Sequence, residues 1–132
     1  LHHPIKATML IQIENDADFA AQLDKAHAQK SGPGLVVVDF FATWCGPCKI
    51  IAPVFSELSE SYPSVQFLKV DGDNNENLAV QYGVRSFPTF LFFRGRNLVD
   101  RLIGADANKL RSKIQQLATT PDAATAAEGT SQ

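Results

Sequence analysis

One apolar run restricts the fold of this chain more than any other feature of the sequence. The run, Leu35-Val36-Val37-Val38-Asp39-Phe40-Phe41, is continuous and does not alternate with polar residues. A strand of this composition is buried on both faces, which is typical of a central strand in a sheet that helices cover on both sides. A cluster of breakers, Ser31-Gly32-Pro33-Gly34, stands directly before it. The run therefore predicts an α/β fold.

Shorter patterns on both sides of this run predict the remaining elements. Apolar and β-branched residues predict four further strands, at residues 9–13, 65–70, 89–93 and 98–103. Apolar residues at helical spacing predict four helices: one from about Asp16, one over 45–61, a short one over 78–82, and one capped by Asp106 that reaches Leu117. The order β-α-β-α-β-α-β-β-α predicts a mixed sheet, because the early crossovers favour parallel pairing and the late hairpin favours antiparallel pairing.

The last two strands are joined by Arg94-Gly95-Arg96-Asn97, which has the length of a hairpin loop. Both arginines stand in this loop, next to a glycine and an asparagine. We therefore expect Arg94 and Arg96 to lie in solvent at the tip of the hairpin.

Composition predicts one folded domain with two unfolded ends. Of the 132 residues, 45% are hydrophobic, enough to build a single core without disulfides. Residues 1–8 contain two histidines and a proline without periodicity, so we expect a leader or a remnant of expression. Residues 118–132 are rich in Ala and Thr and lack Leu, Ile, Val and aromatic residues, so we expect a disordered tail. The domain is predicted to span residues 9–117.

Charge and hydropathy exclude several functions. The formal net charge is −2 and the charges are scattered, which gives no basis for binding nucleic acid or an anionic membrane surface. No apolar run approaches the roughly 18 residues of a spanning helix. We therefore expect neither nucleic-acid nor membrane partners.

The chemistry is predicted at Trp44-Cys45-Gly46-Pro47-Cys48-Lys49, where the buried strand meets the second helix. Residues three apart on a helix share a face, so the two sulfurs can form a small, reversible disulfide ring. At the helix N-terminus, unpaired N–H groups and the macrodipole favour a thiolate on Cys45. Cys48 lies one turn further inside and stays protonated longer. We expect Cys45 to be accessible and to attack, and Cys48 to resolve.

Two other uses of the cysteine pair are disfavoured. A zinc site needs two more ligands, and only His27 remains inside the predicted domain. A purely structural disulfide across four residues closes too little chain to gain much entropy. A redox role is therefore preferred.

Asp39 interrupts the apolar run and should be buried. Burial raises the pKa of a carboxyl group, and under the cysteine pair such a group can take the proton from Cys48. From the residues alone, a carboxylate satisfied by a neighbouring lysine or a backbone donor remains an alternative.

The stretch from Val38 to Lys49 resembles the active-site stretch of the thioredoxin family. The resemblance continues through Pro53, through Lys69-Val70-Asp71, through Tyr82-Gly83-Val84-Arg85-Ser86-Phe87-Pro88-Thr89, and to Gly95 and Gly104. A lone C-x-x-C is weak evidence. The WCGPCK string with a downstream Pro-Thr is highly specific, and the resemblance covers nearly all of residues 9–117. It implies the thioredoxin fold, a central mixed sheet flanked by helices on both faces.

The resemblance also assigns roles to further residues. It implies that Asp39 transfers a proton, that Lys69 tunes Asp39, and that Pro88 follows a cis peptide bond beside the cysteine pair. With that bond the backbone of Phe87 turns outward and can pair with an extended substrate. At Phe87 the family more often has an aliphatic residue. The remaining expected site residues support the pair or dock substrates: Trp44, Gly46, Pro47, Gly83, Thr89 and Gly104.

By this resemblance the protein is a monomeric, cytoplasmic protein-disulfide reductase of cell redox homeostasis. It would bind no cofactor or metal and would receive electrons from NADPH through thioredoxin reductase. Its partners would include oxidised peroxiredoxin, ribonucleotide reductase and methionine sulfoxide reductase. One alternative is an oxidase or isomerase of the same fold, but such relatives usually carry a histidine where Pro47 stands. A redox-gated binding module or scaffold is the other.

Overall fold

The described part of the chain, residues 10–28 and 34–119 of a computed structural model, contains nine elements in the order that the sequence predicts. The expected leader at 1–8, Met9, residues 31–33 of the breaker cluster and residues 120–132 of the expected tail lie outside the described residues. The elements are β1 (Leu10–Gln12), α1 (Asp16–Ala28), β2 (Leu35–Phe41), α2 (Gly46–Ser61), β3 (Gln66–Asp71), α3 (Glu76–Gln81), β4 (Thr89–Arg94), β5 (Asn97–Ile103) and α4 (Ala107–Thr119).

Two helix ends differ from the prediction in ways that matter below. Helix α2 begins at Gly46, so Cys45 is its N-cap residue and not its first helical residue. Helix α4 continues to Thr119, two residues beyond the expected end of the domain, and Ala118 packs against the core. In the described ranges, none of the four helices has the length and apolar character needed to span a membrane.

The five strands form one mixed sheet in the order β1-β3-β2-β4-β5. Strand β3 pairs in parallel with β1 and β2, whereas β4 pairs antiparallel with β2 and β5. Strand β2 therefore lies in the middle of the sheet, and its first six residues are buried. The predicted mixed sheet is confirmed.

Successive residues of β2 face opposite sides of the sheet and enter two separate cores. Val36, Val38 and Phe40 pack in the core that contains Phe19 and Leu23 of α1. Val37 packs in the other core, whose members include Ile51 and Phe55 of α2 and Leu110 and Ile114 of α4. By this alternation Asp39 lies on the face that α2 covers, which places its carboxyl group beneath the cysteine pair.

The expectation that Arg94 lies in solvent is wrong. Strand β4 continues through Arg94, and the alternation of β4 directs its side chain to the face covered by α4. The residue is only 5% exposed, and its Nη2 donates a hydrogen bond of 2.7 Å to the carbonyl oxygen of Leu117 in the last turn of α4. A cation at a helix C-terminus is favourable because the last carbonyl groups carry partial negative charge. Arg96 is exposed, as expected, and pairs with Asp24 at 2.8 Å.

We expect Arg94→Met to lower the free energy of unfolding by about 1–3 kcal/mol, because the side chain keeps its approximate length but loses a charged hydrogen bond to α4. Urea denaturation followed by circular dichroism measures the change. Arg96→Met is the matched control, since that arginine is two residues away and exposed, and it should cost much less. Equal losses in the two variants would contradict a special role for Arg94.

Candidate active site

Cys45 stands where the chain leaves the central strand and enters α2. Its N–H donates to the carbonyl oxygen of Ala42 at 3.2 Å, and as the N-cap residue it accepts a hydrogen bond at Sγ from the N–H of Cys48, at 3.1 Å. Pro47 lies in the first turn, where the missing N–H costs little. The helix macrodipole and this N–H donor both favour negative charge on the Cys45 sulfur.

The sulfurs of Cys45 and Cys48 lie at disulfide distance, and their Cα atoms are 5.3 Å apart. Cys45 is 4% exposed and Cys48 is 5% exposed, so in this paired state the expected greater accessibility of Cys45 is not present. The two cysteines differ instead in their surroundings. Cys45 caps the helix, whereas Cys48 lies one turn inside it.

A cavity of about 290 Å³ joins Cys48 to the buried carboxyl group of Asp39. Its lining also includes Lys69 of β3 and Lys49 of α2. Asp39 is 1% exposed, and among the described residues its Oδ1 has no hydrogen-bond partner. A buried carboxyl oxygen without a donor is costly when it is charged. The cavity therefore holds a carboxyl group suited to exchange protons with its neighbours.

Burial raises the pKa of Asp39 from its ordinary value of 3.8 to about 7, while the positive charge of Lys69 acts in the opposite direction. Asp39 and Lys69 are register partners on β2 and β3. The ammonium group of Lys69 lies over the ring of Phe41, 4.5 Å from its centroid. Lys69 affects the pKa of Asp39 through its positive charge. Desolvation therefore raises the pKa of Asp39 more than the charge of Lys69 lowers it.

The loop before β4 reaches Cys45 from the other side. The Phe87–Pro88 peptide bond is cis, and the carbonyl oxygen of Phe87 lies 3.5 Å from Sγ of Cys45. Gly104 has a φ of +101°, which glycine adopts readily, and its N–H donates to the carbonyl oxygen of Pro88 at 2.9 Å. The structure thus places Phe87 beside Cys45 and joins Gly104 to Pro88.

Two of the residues expected to dock substrates make local contacts in the structure. Thr89 is buried in β4, and its hydroxyl donates to the carbonyl oxygen of Ser86 at 2.8 Å, so its side chain does not reach the surface. Gly83 follows α3 with a φ of +68°, and the N–H of Val84 next to it bonds to the carbonyl oxygen of Ala79. The end of that helix accounts for the positive φ of this glycine, and its docking role stays a prediction.

Trp44 is 69% exposed, as expected of a surface ring beside the cysteines. Its Nε1–H donates to Oδ2 of Asp73 at 2.8 Å, and its ring meets the ring of Phe87 edge to face, with centroids 6.0 Å apart. Asp73 is a member of the site that the sequence does not indicate. Twenty-nine positions separate it from Trp44, and no local spacing connects them.

Across residues 10–28 and 34–119, no three or more His, Cys, Asp or Glu side chains are grouped so that they could hold a metal ion. His27, the histidine considered as a zinc ligand, lies against Gly95 at the turn between β4 and β5.

Comparison with known proteins gives one consistent result. The sequence model of the family described as Thioredoxin matches residues 10–116. The chain is 46% identical over 109 residues to the thioredoxin of Equus caballus, an overlap of 83% of this chain and 99% of the relative. It is 44% identical over 93 residues to thioredoxin H1 of Arabidopsis thaliana, covering 70% and 79% of the two chains. The crystal structure of a poplar thioredoxin h superposes with a TM-score of 0.78 at 35% identity, covering 84% of this chain and 97% of that one.

We expect Asp39→Asn to stabilise the protein at pH 8 and to change its stability little at pH 4. Between the unfolded pKa of 3.8 and the folded pKa of about 7, the folded protein holds a proton that the unfolded chain has released. Stability therefore falls as the pH rises through this window, by about 1.4 kcal/mol per pH unit, or about 4 kcal/mol in all. Asp39→Asn has no carboxyl group at this position to titrate, so its stability does not fall in this way.

Urea denaturation of both proteins at pH 4 and pH 8 measures the difference. Asp100→Asn, which removes a partly exposed carboxylate paired with Lys113, serves as the control and should show no gain at pH 8. An Asp39→Asn variant that is no more stable than the parent at pH 8 would mean that the carboxylate has a stabilising partner.

Proposed function

The chain belongs to the thioredoxin family, and on that premise we propose a division of work between its two cysteines. The family consists of protein-disulfide oxidoreductases, and the Cys45–Cys48 pair supports dithiol–disulfide exchange. In our proposal Cys45 is the nucleophile and Cys48 is the resolving thiol. The observation that supports this order is structural: Cys45 caps α2, whereas Cys48 shares a cavity with the carboxyl group of Asp39.

The reaction takes two exchange steps. The thiolate of Cys45 attacks one sulfur of a target disulfide, forms a mixed disulfide, and releases the other target sulfur as a thiolate. Cys48 then loses its proton and attacks Sγ of Cys45. This attack closes the Cys45–Cys48 disulfide and releases the second target sulfur. Two electrons pass from the cysteine pair to the target.

Asp39 serves the second step as the base for Cys48. A general base is most effective when its pKa lies near the working pH, and burial places the pKa of Asp39 at about 7. Lys69 keeps that value from rising further. The first step needs no such base, since the N-terminus of α2 favours the Cys45 thiolate.

Targets dock beside Cys45 as extended segments. The backbone of Phe87, with Pro88 behind it, pairs with the target in the manner of an added strand, next to the exposed ring of Trp44. Gly46 and Pro47 shape the turn that carries Cys45, and Gly104 holds the Pro88 carbonyl group.

The wider role follows from the family. We propose that a flavin-containing thioredoxin reductase recharges the pair with electrons from NADPH, and that oxidised peroxiredoxins, ribonucleotide reductase and methionine sulfoxide reductases are among the targets. The protein would act in the cytoplasm as a monomeric electron carrier. Residues 9–117, with the last turn of α4, would be the working domain.

Single serine variants of the two cysteines test the assignment. We expect Cys48→Ser to accumulate a mixed disulfide with an oxidised target such as insulin, because the first step proceeds and the second cannot. Cys45→Ser should form none, because the nucleophile is missing. Both variants should lose at least about a hundredfold in steady-state insulin reduction.

Non-reducing gels and mass spectrometry identify the trapped species, and each variant is the matched control for the other. Trapping by Cys45→Ser in place of Cys48→Ser would reverse the assignment. A parent protein that binds insulin but does not reduce it would instead favour a binding module.

A further inference from the structure

The ring of Phe87 rests on Gly72, the residue that follows β3. A Cβ atom placed on Gly72 would overlap the far edge of this ring, so the ring occupies space that only a glycine leaves free. Gly72 is buried, and its N–H donates to the carbonyl oxygen of Phe41 at 2.8 Å, which fixes it to the end of β2. Its φ lies outside the left-handed region, so the position requires space and not backbone freedom.

Three side-chain contacts and one peptide bond close a circuit beside Cys45. Phe87 rests on Gly72, and its ring meets that of Trp44 edge to face at an interplanar angle of 75°. Trp44 donates to the carboxylate of Asp73, which is bonded directly to Gly72 in the chain. Each member of this circuit is thereby held by two others.

The circuit contacts the reacting sulfur through Phe87. The carbonyl oxygen of Phe87 is 3.5 Å from Sγ of Cys45. Phe87 packs both against the core that α1 covers and against the small cluster of Ala42 and the two cysteines. A shift of the ring would therefore move the backbone that receives an extended target. Misplacement by about 1 Å can reduce an enzymatic rate by as much as a hundredfold.

We propose that Gly72 is a positioning residue for the docking of protein disulfides, and that it acts through the ring of Phe87 that it seats. The proposal rests on the proposed function, because it assumes that the Phe87 backbone receives the target. A small disulfide has no peptide backbone that could pair with Phe87. The attack of Cys45 on it therefore does not depend on the position of the Phe87 ring. Gly72 thus affects reduction of proteins much more than reduction of small molecules.

Gly72→Ala tests the proposal in two backgrounds, the parent and Phe87→Ile. The isoleucine side chain lacks the ring atoms that meet Gly72. In the parent background we expect kcat/KM for insulin to fall about tenfold, mainly through KM, with less than a twofold change for a small chromogenic disulfide. In the Phe87→Ile background the same substitution should cost less than about twofold on either substrate.

Tryptophan fluorescence, measured where circular dichroism shows each variant to be folded, gives a readout that a general loss of stability would not mimic. Trp44 is the sole tryptophan of the chain, so its emission and quenching report the surroundings of that ring, which include the ring of Phe87. Gly72→Ala should change both in the parent background and leave them unchanged in the Phe87→Ile background. Asn77→Ala, an exposed substitution in nearby α3, is the control and should change neither activity nor fluorescence.

The outcomes separate this proposal from the proposed function. A parent protein that reduces neither substrate would overturn the reductase assignment itself. Equal losses of kcat/KM from Gly72→Ala in both backgrounds, or equal losses on both substrates, would overturn the positioning role of Gly72. If Gly72→Ala alone does not fold, folding of the double variant with Phe87→Ile supports the positioning role of Gly72. Failure of both variants to fold contradicts it.

Discussion

Burial of the Asp39 carboxyl group in the middle of the central strand is the constraint on which the rest of the site depends. Strand β2 must be apolar on both faces because α1 covers one and α2 covers the other. Asp39 breaks that rule on the α2 face, and its desolvation raises its pKa to about 7. A neutral carboxyl group is tolerated there, whereas a charged one is costly. In our proposal the fold accepts this cost because Asp39 acts there as the base for Cys48.

The sequence predicts this arrangement because its signals are local. Seven consecutive residues with one polar member predict a strand buried on both faces, and the period of two assigns Asp39 to one of those faces. The spacing of Cys45 and Cys48 places both sulfurs at the start of one helix. Residues 35–41 and 45–48 are close in the chain, so the geometry that connects them is set by a single strand–helix junction.

Contacts between distant segments could not be predicted in this way. Gly72 and Asp73 read as an ordinary turn, since only the folded chain brings them against Phe87 and Trp44. The sequence predicts Arg94 in a solvated loop. Strand β4 is one residue longer than predicted, and this extension directs the side chain of Arg94 to α4. Thr89 matches the family pattern but its side chain lies inside the sheet. Each difference depends on which surface a side chain contacts. The spacing of residues along the chain carries no information about that contact.

The central claim is that Asp39 serves only the second exchange step. Rapid mixing of the reduced protein with a symmetrical chromogenic disulfide separates the steps, because each releases one coloured thiolate. Asp39→Asn keeps the shape of the side chain and removes the base. The first release should keep its rate within about twofold, and the second should slow by about tenfold or more. A second release at the parent rate would contradict the claim, because Cys48 would then lose its proton without Asp39.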